Sequence, residues 1–202
     1  MQTILARAIS ILFHPLIMPP LGVLLLLNSG IHLGFLSYPQ KKAIFLIMLT
    51  GTTLLPLSLI PLMMFQGSIT SLKMENHRER FLPLLVTTLF YIFTGFIMFR
   101  LNAPGLVTIY TITAGLTVFL CSLITIKWKI SLHLTALGAL AGMLLAVAFR
   151  YDINLQFYLT IVFLSGGLAG WARLRLKAHT PAQVYAGYAG GLALAFFMIY
   201  TF

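Results

Sequence analysis

Apolar residues run along this chain in long stretches, roughly Ile9 to Leu27, Ala43 to Phe65, Phe81 to Phe99, Gly105 to Ile126, Ile130 to Phe149, Leu155 to Trp171 and Pro181 to Phe202. Each approaches the ~20 residues that an α-helix needs to cross the hydrocarbon of a bilayer. The breaks between them are polar or turn-forming: Lys41-Lys42, Lys73 to Arg80, Arg100 to Pro104, Lys127-Trp128-Lys129, Arg150 to Asp152 and Arg173 to His179. The pattern predicts an all-α protein, a polytopic transmembrane helix bundle of about seven spans, with residues 1–202 forming a single integral membrane domain. The first run is interrupted by His14, Pro15, Pro19 and Pro20 and is not closed by a small-x-small cleavage site, so it reads as a kinked span rather than a signal peptide.

Composition excludes the soluble alternative. Of the 202 residues, 60% are hydrophobic and 8% charged, and the mean hydropathy is +1.00, whereas soluble domains carry about 25% charged residues. Cys121 is the single cysteine, which rules out an intramolecular disulfide and a cysteine metal cluster. The net charge of +10 comes from cations at span ends, where they meet anionic headgroups. No surface outside the membrane is large enough to track a nucleic acid, and the expected partners are membrane lipids. Seven spans put the N-terminus and the breaks around Lys73, Lys127 and Arg173 on one face, which the positive-inside rule assigns to the cytoplasm. Setting Lys73, Arg80 and Arg173 aside as ligands leaves six cations there against four opposite. The oligomeric state is not readable from the chain.

Three breaks on that face hold the chemistry. They read Lys73-Met-Glu-Asn-His-Arg-Glu-Arg80, Lys129-Ile-Ser131-Leu-His133 and Arg173-Leu-Arg-Leu-Lys-Ala-His179-Thr-Pro-Ala-Gln183. Cations, a hydroxyl and two imidazoles suit a phosphate ester: guanidinium and ammonium groups bind phosphoryl oxygens, one imidazole attacks phosphorus, and the other protonates the departing alkoxide. Thr180 with Pro181 predicts a helix start just after His179, and Ser131 and His133 begin their own span, so both imidazoles border helix N-termini that favour bound phosphate. Small residues four apart, Gly138 with Gly142 and Gly187 with Gly191, permit the two spans to approach closely and bring His133 to His179.

The spacing of these residues resembles the three signatures of the type-2 phosphatidic acid phosphatase superfamily, in its membrane lipid phosphatase branch. Lys73 and Arg80 match the first signature, Ser131 and His133 the second, and Arg173 and His179 the third, in the same chain order and between residues 73 and 191. The resemblance implies that His179 is the nucleophile that forms a phosphohistidine and His133 the general acid. It implies Lys73, Arg80, Ser131 and Arg173 as phosphate ligands, with no metal and no other cofactor. The chain departs from the pattern at Phe81, Ile130, Leu132 and Ala172, and Gln183 stands where the family has the aspartate that orients the nucleophilic histidine. Its amide oxygen can accept from the ring but supplies no charge.

The expected function is that of a membrane phosphatase-like protein acting on a lipid phosphate monoester or pyrophosphate. The alternative is a catalytically silent protein that binds a lipid phosphate or serves as a membrane scaffold. A small transporter has less behind it, because His14 is the one ionisable residue mid-span. The bland alternatives are interfacial imidazoles bonded to headgroups for His133 and His179, a Thr180-x-x-Gln183 capping box for Gln183, and satisfaction of backbone carbonyls at the Pro15 kink for His14.

Overall fold

The computed structural model describes residues 2–69 and 77–202. Its helices are α1 Gln2–Leu12, α2 Met18–Leu27, α3 Tyr38–Leu49, α4 Leu55–Phe65, α5 Phe81–Arg100, α6 Gly105–Thr125, α7 Leu132–Tyr151, α8 Gln156–Arg175 and α9 Pro181–Thr201, and no strand occurs among the described residues. Grouped by continuity, they make seven segments long and apolar enough to cross a membrane: Gln2–Leu27, Tyr38–Phe65, and α5 to α9 singly. The chain is therefore a seven-span helical membrane protein. The first span begins at Gln2, ahead of the apolar run, because Thr3, Arg7 and Ser10 fit one face of a helix whose other face is apolar. Arg173, expected in a break, lies instead on the last turn of α8.

Both early spans are broken, each at proline. Pro15 cannot donate to the carbonyl one turn back, and the chain answers with a 3-10 turn over Pro15–Ile17 capped by His14, whose Nδ1 accepts from Leu16 N–H at 3.3 Å. In the second span the stretch Thr50–Leu54 widens into a π-helix just before Pro56, which relieves the clash of the ring with the preceding turn. Thr53 Oγ1 donates to Leu16 O at 2.6 Å, tying the two irregularities together.

Lipid inverts the usual arrangement of polarity. Phe93, Phe96, Phe99, Leu164 and Phe197 point outward, while Thr88, Thr94, Thr111 and Thr117 are buried and return their hydroxyls to the carbonyl four residues back. Helix α1 follows the same logic. It lies along α8 and buries Ala6 and Ser10, leaving Ile4, Leu5, Ile11 and Leu12 exposed.

Helix α7 is the axis of the bundle, with Leu134, Leu137, Leu140, Ala141, Met143, Leu144, Ala146 and Val147 all buried. Its closest neighbour is α9, which runs parallel to it. A Cβ on Gly138 would stand 2.1 Å from Tyr188 O, on Gly142 2.2 Å from Leu192 O, and on Gly191 2.1 Å from Thr135 O. Only glycine admits so close a backbone approach. Helix α8 makes the antiparallel return between them. It ends in a turn where Lys177 takes a left-handed conformation (φ 52°) and Ala178 N–H donates to Arg173 O at 3.1 Å.

Gly142→Ala and Gly191→Ala should each destabilise the bundle by on the order of 2–3 kcal/mol through forced separation of α7 and α9. Gly190→Ala, where a Cβ meets nothing within 4 Å, should be neutral or slightly stabilising. Thermal unfolding in detergent, followed by helical circular dichroism, measures the difference between the neighbouring positions 190 and 191.

Candidate functional site

Because α7 and α9 run parallel, the segments that lead into them emerge side by side. Lys129 stands opposite His179, 50 residues on, and Ser131 N–H donates to Gln183 O at 3.4 Å. Thr180 is extended and caps α9, with Pro181 at the first helical position. Thr180 N–H donates to Gln183 Oε1 (3.1 Å) and Gln183 N–H to Thr180 Oγ1 (3.4 Å), which completes a capping box. The same Oε1 lies 3.2 Å from His179 Nδ1, and Lys129 O lies 3.1 Å from that nitrogen. Gln183 thus holds the helix start and the imidazole with one oxygen.

These contacts decide the tautomer of His179. The Thr180 N–H marks the facing atom of Gln183 as oxygen, so both partners of Nδ1 are acceptors. The neutral ring carries its proton on Nδ1 and keeps a lone pair on Nε2. Burial of the ring, with the guanidinium charges of Arg173 and Arg80 next in weight, pushes the His179 pKa down to about 4 against the bonds from Gln183 and Lys129. The ring is neutral at physiological pH, with Nε2 unprotonated.

His133 opens α7 from the other side. Its Nε2 lies 3.1 Å from Ser10 O. A carbonyl only accepts, so His133 holds its proton on Nε2 and its free lone pair on Nδ1. Ser131, the cap residue of α7, is fully buried, and its Oγ has no hydrogen-bond partner and does not cap the helix. Arg173 reaches the same place from the end of α8. Its charge acts on His14, His133 and His179, and its Nε is buried without a partner. Arg80, at the end of the 3-10 turn His77–Arg80 that leads into α5, is buried too, and its charge acts on Arg173 and His179. Burial pulls its pKa below the ordinary arginine value.

Of the residues singled out from the sequence, Arg80, Ser131, His133, Arg173, His179 and Gln183 therefore gather at one end of α7, α8 and α9. Lys73 lies outside the described residues. Three further contributors come from the backbone or the first span: the carbonyls of Ser10 and Lys129, and His14. Carbonyls leave no trace in a side-chain pattern. His14 was visible beside Pro15, but it caps the kink as an acceptor instead of donating to freed carbonyls, and its ring stands edge-on to His133 with centroids 5.8 Å apart. Among the described residues no three His, Cys, Asp or Glu side chains gather closely enough to hold a metal ion.

Comparison with models of protein families, with curated proteins and with solved structures found no match.

A bound anion would offset the two guanidinium charges that disfavour the imidazolium form of His179. Histidine ¹⁵N shifts should accordingly show a midpoint near 4 in the free protein, displaced upward by added phosphate. The unfolded chain takes up this proton near 6.5, so acidification from 6.5 towards 4 favours unfolding, and the loss ends below 4.

Proposed function

We propose that this cluster binds the phosphate of a membrane lipid and that His179 attacks its phosphorus, making the chain a lipid phosphate phosphatase of the phosphohistidine type. The observation that carries the reading is the placement of Arg173. A half-buried guanidinium, its Nε buried without a partner, lies among three imidazoles and a second arginine, and it has no ion pair among the described residues. Such a group is costly in a membrane unless an anion joins it. A phosphate dianion fits the need, accepting from Arg173 and from the Ser131 hydroxyl.

The chemistry follows from the tautomers. The Nε2 lone pair of His179 forms a bond to phosphorus while the bond from phosphorus to the lipid oxygen breaks, its electron pair remaining on that oxygen. The oxygen takes a proton from Nδ1 of His133, which enters the step as an imidazolium. Its other N–H is held by Ser10 O, and the charge is balanced by the substrate dianion. As N–P bonding develops, positive charge spreads over the His179 ring, and the Nδ1–H bonds to Gln183 Oε1 and Lys129 O stabilise it. Water then attacks phosphorus and passes a proton to His133 Nδ1. The N–P electron pair returns to His179, and inorganic phosphate leaves.

A silent phosphate binder is the second reading, favoured by one residue. Gln183 orients the ring without a negative charge, and in the serine-protease triad the comparable change from aspartate to asparagine lowers the rate by about 10⁴. Phosphate release from phosphatidic acid in detergent micelles separates the two. Slow turnover that is insensitive to chelators and lost in His179→Ala is the expected result. Gln183→Glu keeps the length needed for both of its bonds and adds a charge, and should accelerate release by at least tenfold, on the order of 1.4 kcal/mol of barrier. A folded protein with no turnover on a panel of lipid phosphates, unchanged by Gln183→Glu, would identify the binder.

A further inference from the structure

We propose that His14 is a ligand of the same phosphate, donating to it from Nε2, so that the kinked first span forms a wall of the site. The inference rests on the phosphate-site reading above and extends it to a residue outside the three matched segments.

Three observations on the first span converge. The Nδ1 of His14 accepts the Leu16 N–H, so the neutral ring carries its proton on Nε2. The ring stands edge-on to His133 and within the field of Arg173, the two groups that define the site. The side chain is exposed, unlike those of Ser131 and His179. The three imidazoles then offer complementary atoms. His179 presents a lone pair on Nε2, and His133 presents Nδ1 because Ser10 O occupies its Nε2. In their neutral forms, His14 is the one of the three whose N–H is not already held by a carbonyl. A neutral imidazole N–H polarises a phosphoryl oxygen without adding a further cation beside Arg173 and Arg80. Around His14 the exposed side chains of Ile11, Leu12 and Ile17 are apolar, which places the acyl part of a lipid ligand along the first span.

A bare role as cap of the 3-10 turn predicts something different, and asparagine tells the two apart. Asn caps as well as His does, but its amide stops near the position of Nδ1. His14→Asn should therefore keep the melting temperature and weaken phosphate binding about tenfold or more, the loss of one hydrogen bond to a charged group. Affinity is measured for inorganic phosphate by ³¹P line broadening, and for phosphatidic acid in phosphatidylcholine nanodiscs by titration. Weakening on one arm alone supports the contact and identifies that arm's ligand as the occupant. Unchanged affinity on both arms in a folded His14→Asn protein overturns the proposal, while loss of binding in Arg173→Gln shows that the site itself stands. No binding by the wild-type protein overturns the site reading and this inference together. If His14→Asn does not fold, the ¹⁵N–¹H signal of the His14 ring in the wild-type protein decides: a downfield shift on adding phosphate supports the contact, and an unmoved signal overturns it.

Discussion

The parallel contact of α7 with α9 is the constraint from which the rest of this bundle follows. In lipid, apolar side chains gain nothing by leaving one apolar neighbour for another, so helices associate where their backbones can pack closely. Gly138, Gly142, Gly187 and Gly191 provide that closeness, setting the carbonyls of Tyr188, Leu192, Ser131 and Thr135 where a Cβ would otherwise be. Two consequences are geometric. Parallel neighbours need an antiparallel return, which is α8, and the return ends beside the start of α9, delivering Arg173 to His179. The leading segments 129–131 and 179–183 must also meet, since they enter paired helices at one register. A cluster spread over 50 residues of sequence is thus held by a stripe of missing side chains.

Electrostatics at that end of the bundle is governed by scarcity of counter-charge. The chain has 13 Lys and Arg against 3 Asp and Glu, and the partners that orient its imidazoles are carbonyls and an amide: Lys129 O and Gln183 Oε1 for His179, Ser10 O for His133. Neutral acceptors fix a tautomer as well as a carboxylate does, but they bring no negative charge to the guanidinium of Arg173. Burial first and the charges of Arg173 and Arg80 after it hold the His179 pKa low, and the Nε of Arg173 keeps a vacant hydrogen bond. An anion drawn from the membrane surface would relieve both.

The helical runs and their breaks were legible because hydrocarbon imposes a length and a hydropathy on each span, and from Phe81 onward the observed helices begin and end within about four residues of the apolar runs. The first span was legible only in part. Polar Thr3, Arg7 and Ser10 lower the hydropathy of its opening turns, yet the helix forms and buries Ser10 together with Ala6. On the site, Thr180-Pro181 and the two Gly pairs announced the local geometry in sequence, since capping and close approach are decided by residues four or fewer apart. The contributions of Ser10 O and Lys129 O were not legible. Any residue can supply a carbonyl, and which one does so depends on how α1 lies across α8 and on how the chain enters α7.

Under the proposed function, the amide at position 183 would set a balance between holding an anion and transforming it. A carboxylate there would stabilise the cationic ring that forms as His179 bonds to phosphorus, lowering the barrier. It would also cancel part of the positive field that draws a dianion in, since it would stand beside the imidazole on which Arg173 and Arg80 act. With glutamine the ground state keeps the whole field and the transition state loses a counter-ion, so interaction energy is spent on binding rather than on the difference between bound states that accelerates a reaction. The same residue caps α9 through Thr180, and a helix N-terminus adds its own positive end to the site. Under the proposed function, residue 183 is therefore the position at which a small change in charge would move this architecture between a tight receptor for lipid phosphate and a fast enzyme, with the fold left as it is.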